Sequence, residues 1–251
     1  METQTAPQAI LKGVRQKRAW LTILVVIQLW LFTNGSSVLG RQFPSIPSPT
    51  LFYIVFMMWP LIVDKGLLEE LLKGTPQEYV VKFALGYLLT LPIYFLVFVT
   101  LLKAPPNVLD YSAVWPLFFL QLFFVAPAEE LFFRGFVPRL YNPEGKSWKI
   151  YAGIASTNTI FTGSFVLADV VTSVTFSGFH YAAYGSNAVF AFIVAFALSI
   201  IWTYASRVKV GWPFHANGER REMGIAFTIG SHFAFNMCAF GILTGGVVFG
   251  S

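Results

Sequence analysis

Long apolar runs alternate with short polar ones along this chain. An α-helix rises about 1.5 Å per residue, so crossing a hydrocarbon core of about 30 Å takes about 20 apolar residues. Read at that length, the pattern predicts spans at 19–38, 47–63, 80–102, 112–139, 164–182, 187–206 and 224–248. Prolines at 43, 46, 49, 105 and 106 punctuate the connections. Residues 64–78, "DKGLLEELLKGTPQE", break the pattern and predict a short amphipathic helix on the membrane surface, with Leu67, Leu68, Leu71 and Leu72 toward lipid. Residues 150–163 are apolar but rich in small and hydroxyl side chains; they read as a re-entrant turn, an interfacial helix or the start of the fifth span. The fold class that follows is an all-α polytopic membrane protein, a bundle of about seven transmembrane helices with an eighth left open. It forms a single integral-membrane domain over residues 1–251.

Composition agrees. The 251 residues are 56% hydrophobic and 12% charged, against about 25% charged in an ordinary soluble domain. One cysteine, Cys238, excludes an internal disulfide and a cysteine-cluster metal site. The formal charge of +5 would suggest a nucleic-acid partner in a soluble protein, but here it resides in the connections. Lys12, Arg15, Lys17 and Arg18 precede "AWLTILVVIQLWLF", which is bulky and followed by further spans, so it reads as a retained first helix rather than a cleaved signal. With the N-terminus in the cytoplasm, fourteen of the seventeen basic residues fall on inside segments and only Arg41 and Lys103 outside, the bias expected of membrane proteins. The remaining one, Arg134, lies within the fourth span.

That span reads "FVAPAEELFFRGF" at its charged stretch, and from Val114 to Phe136 its only ionisable side chains are Glu129, Glu130 and Arg134. A charge near the bilayer centre costs about 2.5–3.5 kcal/mol on insertion scales, so such groups face the bundle interior and find partners. Glu130 and Arg134 stand at i and i+4, where carboxylate and guanidinium can meet. Glu129 is turned about 100° away and is left to handle a proton. A structural ion pair with a spare carboxylate is the plain alternative. The similar letters "EELLK" at 69–73 sit among Gly, Lys and Asp and read as a solvated interfacial patch.

His180 ends "FSGFH" with Phe176 one turn earlier, and His232 begins "HFAFN" with Asn236 one turn later. His215 lies in a polar loop. A single membrane histidine is more often packed than catalytic. A Glu pair, a His and a His/Asn pair on three separate apolar helices are together the parts needed for water attack on an amide and for stabilising an oxyanion.

In that order, EExxxR, FxxxH and HxxxN resemble the CPBP family of intramembrane endopeptidases, the CAAX proteases and bacteriocin-processing enzymes also called Abi. The resemblance covers residues 112–240, a catalytic core, and leaves residues 1–111 as N-terminal helices without a recognisable motif. It implies that Glu129 activates water together with His180, that His232 and Asn236 stabilise the oxyanion, and that Glu130, Arg134 and Phe176 support the site. It implies no obligatory cofactor; a divalent metal such as Zn, if bound, would take Glu129, His180 and His232. The partners it implies are a protein or peptide substrate at the lipid bilayer, prenylated CAAX-type, bacteriocin-like or a sorted protein's tail, and no nucleic acid. Two features depart from the family pattern: the polar insert "FHANGERREM" after Trp212-Pro213, and the placing of Glu129 in the cytoplasmic half of the fourth span and of His180 near the far end of the fifth. A proton-coupled transporter using the same groups lacks any inverted repeat, and a non-catalytic scaffold or immunity protein with an idle site is the third reading.

Overall fold

The computed structural model describes residues 53–54, 58–62, 64–72, 74–101, 103, 109–138, 167–183, 188–210, 221–243 and 247–248. The expected span at 19–38, most of that at 47–63, the segment 150–163, His215 and Trp212-Pro213 lie outside the described residues. The described residues are overwhelmingly helical. Helix α1 is Lys65–Leu72, α2 Pro76–Leu101, α3 Tyr111–Phe136, α4 Leu167–Ala183, α5 Ala188–Ser206 and α6 Gly224–Ala239. Of these, α2, α3 and α5 are long and apolar enough to cross a membrane. With 17 and 16 residues, α4 and α6 are shorter, each spanning roughly 25 Å at the helical rise.

Local sequence sets the ends. Thr75 is extended and its hydroxyl accepts the Glu78 N–H at 3.2 Å, while Pro76 sits in the first turn, where its missing N–H leaves nothing unpaired. Asp110 caps α3 outside the span, and hydrogen bonds from the Ser112 side chain and N–H hold its carboxyl below the usual carboxylate range. Prolines inside the helices precede wide π-helical stretches: Pro92 before Phe95–Leu101, Pro116 before Gln121–Val125, and Pro127 before Leu131–Phe136. A ring without an N–H interrupts the regular ladder and lets the next turns widen.

Two expectations are corrected. The last span does not continue to residue 248: α6 ends at Ala239. Gly241 takes φ +81°, and its N–H reaches the Cys238 carbonyl while that of Ile242 reaches Met237, the glycine-terminated stop that satisfies the last carbonyls. Beyond it, strand β4 (Val247–Val248) pairs in parallel with β1 (Leu109–Asp110), so the end of α6 and the start of α3 share one face of the bundle. Nor do all four leucines of α1 face lipid. Leu67 is 1% exposed and packs with Phe132 and Phe136, and Leu71 packs against the same cluster, whereas Leu68 and Leu72 are exposed. Spacing of four residues divides the apparent stripe into an inward and an outward half.

A second short strand pair lies at the opposite face. Strands β2 (Lys209–Val210) and β3 (Arg221–Glu222) pair antiparallel, so the chain returns directly into α6. Lys82 ties α2 to this hairpin, binding Glu78 at 2.7 Å and the Glu222 carbonyl at 2.7 Å.

Helix α6 lies against α2 at a crossing built from glycines. A Cβ on Gly86 would stand 2.0 Å from the Phe227 carbonyl oxygen, and one on Gly230 would stand 2.0 Å from that of Phe83. Small residues let backbones approach this closely. Gly230→Ala should force the helices apart and lower stability by about 1–3 kcal/mol, the usual cost of overpacking. In thermal unfolding of the purified protein, Gly178→Ala serves as control, since its Cβ meets nothing within 4 Å. Equal melting of the two variants would show that the crossing tolerates separation.

Candidate active site

On α3 the two glutamates occupy one α-helical turn, Ala126–Glu130, between two wide stretches. Glu130 is 0% exposed, and its Oε1 accepts from Arg134 Nη1 at 2.9 Å. Glu129 is 3% exposed and points elsewhere: the Tyr53 hydroxyl donates to its Oε1 at 3.3 Å. Its Oε2 is buried and has no hydrogen-bond partner among the described residues.

Both carboxylates meet the same imidazole. His232, on α6 two residues after the Gly230 contact, places Nδ1 2.8 Å from Glu130 Oε1 and Nε2 3.7 Å from Glu129 Oε2. A carboxylate accepts, so Nδ1 carries the proton in the Glu130 contact. The second distance is beyond a hydrogen bond. Trp202 of α5 stacks on the imidazole at 5.0 Å and 27°, and Phe176 of α4 meets it edge-on at 5.9 Å.

Phe176 joins the remaining groups. Its ring carries the Arg134 guanidinium 4.2 Å above it, meets Phe133 edge-on at 5.1 Å, and lies 4.3 Å from the His180 ring. His180 Nδ1 stands 2.9 Å from the Phe176 carbonyl; since a carbonyl only accepts, Nδ1 donates, and Nε2 is the basic nitrogen of a neutral ring. Glu129 and His180, expected toward opposite sides of the membrane, are not in direct contact but are bridged by His232 and Phe176. Asn236 is one turn beyond His232, but its amide nitrogen donates to Gln121 Oε1 at 2.8 Å.

Three neighbours of these groups belong to no motif. Gln121, an amide in the middle of "WPLFFLQLFFV", was a detectable signal. Trp202 was not, being one of seven tryptophans in an aromatic-rich chain. Asp169 is buried at the start of α4 and forms a bidentate pair with Arg207 at 2.5 Å. The charged stretch of α3 is therefore not the only ionisable site inside the bundle.

The arrangement offers a carboxylate with one uncommitted oxygen beside an imidazole braced by a second carboxylate, the parts for proton transfer to and from a reacting water. For a metal, Glu129 Oε2 and His232 Nε2 are two donors within reach of one ion, but no group of three or more His, Cys, Asp or Glu at metal-holding spacing occurs among the described residues. Two donors do not make a closed site.

The profile of one family, type II CAAX prenyl endopeptidase Rce1-like, matches residues 111–238. Neither a curated protein nor a solved structure gives a match.

Proposed function

This chain belongs to the Rce1-like family of type II CAAX prenyl endopeptidases, membrane-embedded proteases, and from that premise we propose that it hydrolyses a peptide bond near the membrane surface with water activated by Glu129 and His180. The observation that carries the reading is the His232 imidazole held against both carboxylates, with Glu129 Oε2 uncommitted. Glu129 takes a proton from water as its oxygen bonds to the scissile carbonyl carbon. His180 Nε2 orients that water. The tetrahedral oxyanion takes a hydrogen bond from Asn236, whose amide nitrogen carries a second N–H besides the one given to Gln121, and one from His232 when its imidazole carries a proton on Nε2 as well as on Nδ1. The proton held by Glu129 then passes to the leaving amine as the C–N bond breaks. Glu130 and Arg134 fix His232, and Phe176 backs His180. No metal step is needed in this scheme.

The substrate class named in the family's description, a prenylated CAAX tail, is the first to test; a bacteriocin-like propeptide and a sorted protein's tail are the others. Comparative proteomics of membranes carrying the native chain or Glu129→Ala should reveal a protein whose C-terminal fragment appears only with the native chain. Identical peptide inventories would leave the scaffold reading in its place.

We also propose seven spans with the N-terminus in the cytoplasm. Lys82, Arg207 and the β2–β3 pair lie at one face of the bundle, and the β1–β4 pair at the other, which fits the positive-inside bias. A reporter fused after Ser251 should be active outside and silent in the cytoplasm. The reverse pattern would overturn the span count.

A further inference from the structure

Hydrolysis in a helical bundle consumes water, and the face between α4 and α5 carries two matching rows of polar side chains. Asp169, Ser173 and Ser177 recur every fourth residue along α4, and Arg207, Thr203 and Ser199 recur every fourth residue back along α5. The two helices pack against each other and run antiparallel, pinned at one end by the Asp169–Arg207 pair. Arg207 retains 20% side-chain exposure and is followed directly by the β2–β3 pair at the end of the bundle. Beside these rows, next to Ser177 and Thr203, lie Phe176 and Trp202, the two rings that hold the Arg134 guanidinium and touch His232.

The hydroxyls of this seam are not all satisfied by their own helices. Ser177 and Ser206 bond back to backbone carbonyls, the usual resort of a hydroxyl in a helix. Ser173 Oγ, Ser199 Oγ and Thr203 Oγ1 are buried and have no hydrogen-bond partner among the described residues. Arg134 Nε and Nη2, at the inner end, are likewise without one. Buried polar atoms are paired with protein or ordered water in nearly every native structure, and a charged donor demands it most. Among the described residues, five such atoms on three helices gather around one aromatic pair.

We infer that the α4–α5 seam is a water-filled path from the Asp169–Arg207 end to Arg134, and that it delivers the water hydrolysed at Glu129. The delivery half rests on the proposed protease reading; the hydration half does not. The ligand is water itself, held by Ser173, Ser199, Thr203 and the inner edge of Arg134. Its entry from the Asp169–Arg207 side spares the reactant a passage through lipid.

The experiment uses the full chain in lipid nanodiscs, with Cys238→Ala giving a cysteine-free background. Ser173→Cys, Ser199→Cys and Thr203→Cys, each alone, are exposed to a small cationic methanethiosulfonate, which reacts with the thiolate and hence only where water reaches. Labelling should exceed that of lipid-facing Ile193→Cys by on the order of tenfold or more. Labelling no faster than the Ile193→Cys control would overturn the path and return these hydroxyls to ordinary back-bonding. That outcome says nothing against protease activity, and labelling can be read even in a chain that cleaves no peptide. A second arm tests delivery: Ser199→Ala combined with Thr203→Val should lower kcat several-fold with KM unchanged, and Thr203→Ser should restore it. Fast labelling with unaltered kcat in the double variant would overturn delivery.

Discussion

Glu129→Gln should cut turnover by about 10²–10⁴-fold, the usual worth of general-base catalysis, while the protein folds and binds substrate as before. The substitution keeps side-chain size and the Oε1 acceptor for Tyr53, and it removes only the capacity to take a proton. Because Glu129 Oε2 has no partner among the described residues, an amide there breaks no hydrogen bond within them. His180→Ala should behave similarly, and Asn236→Ala should cost about 10²–10³-fold, as for loss of one oxyanion donor. His215→Ala is the internal control. A chelator should leave activity intact in the metal-free scheme, whereas loss of activity that Zn²⁺ restores would assign Glu129, His180 and His232 to an ion. The protease reading is falsified if Glu129→Gln, His180→Ala and His232→Ala all process the substrate at native rates.

The second large effect is on stability. Arg134→Ala leaves Glu130, fully buried, without its cation. Breaking a dry ion pair from one side costs about 3–5 kcal/mol, because a charge remains in low dielectric. His232 still donates to Glu130, which places the expected loss toward the lower figure. The guanidinium's contacts with the Phe176 and Trp202 faces are lost as well. Arg134→Lys should recover part of the loss, since an ammonium keeps the charge but not the planar fork. Thermal unfolding in detergent, alongside folded yield, measures both variants. Native stability in Arg134→Ala would remove the pair from the list of structural elements.

The membrane class and the helices of the C-terminal half were legible because hydropathy over a span-length window reports burial in lipid directly. The candidate chemistry was legible for a related reason: Glu129, Glu130, Arg134, His180 and His232 stand out against an apolar background that tolerates few charges. Local rules stopped short where tertiary packing decides. Leu67 and Leu68 are equivalent to any hydropathy scale, yet one is in the core and the other exposed. Trp202 became notable only once α5 placed it on His232. The end of α6 needed the left-handed glycine at 241, which a smoothed hydropathy profile averages away. Asp169 was visible, but its partner Arg207 lies 38 positions later, and no helical periodicity links them.

The glycine crossing of α2 and α6 bears on how the chain can be cut or recombined. Residues 111–238 carry every motif and the whole family match, so they look like a transplantable unit. Yet His232 sits two positions from a contact whose other half, Phe83 and Gly86, belongs to α2. The helix without a signature therefore serves as the jig against which the motif-bearing helix is set. A fragment beginning at Tyr111 would carry Glu129, His180, His232 and Asn236 and lack the α2 surface against which α6, with His232, is set. In chimeras built from two relatives, α2 and α6 should be inherited from the same parent, with the junction placed before Pro76 rather than at the start of the recognisable core.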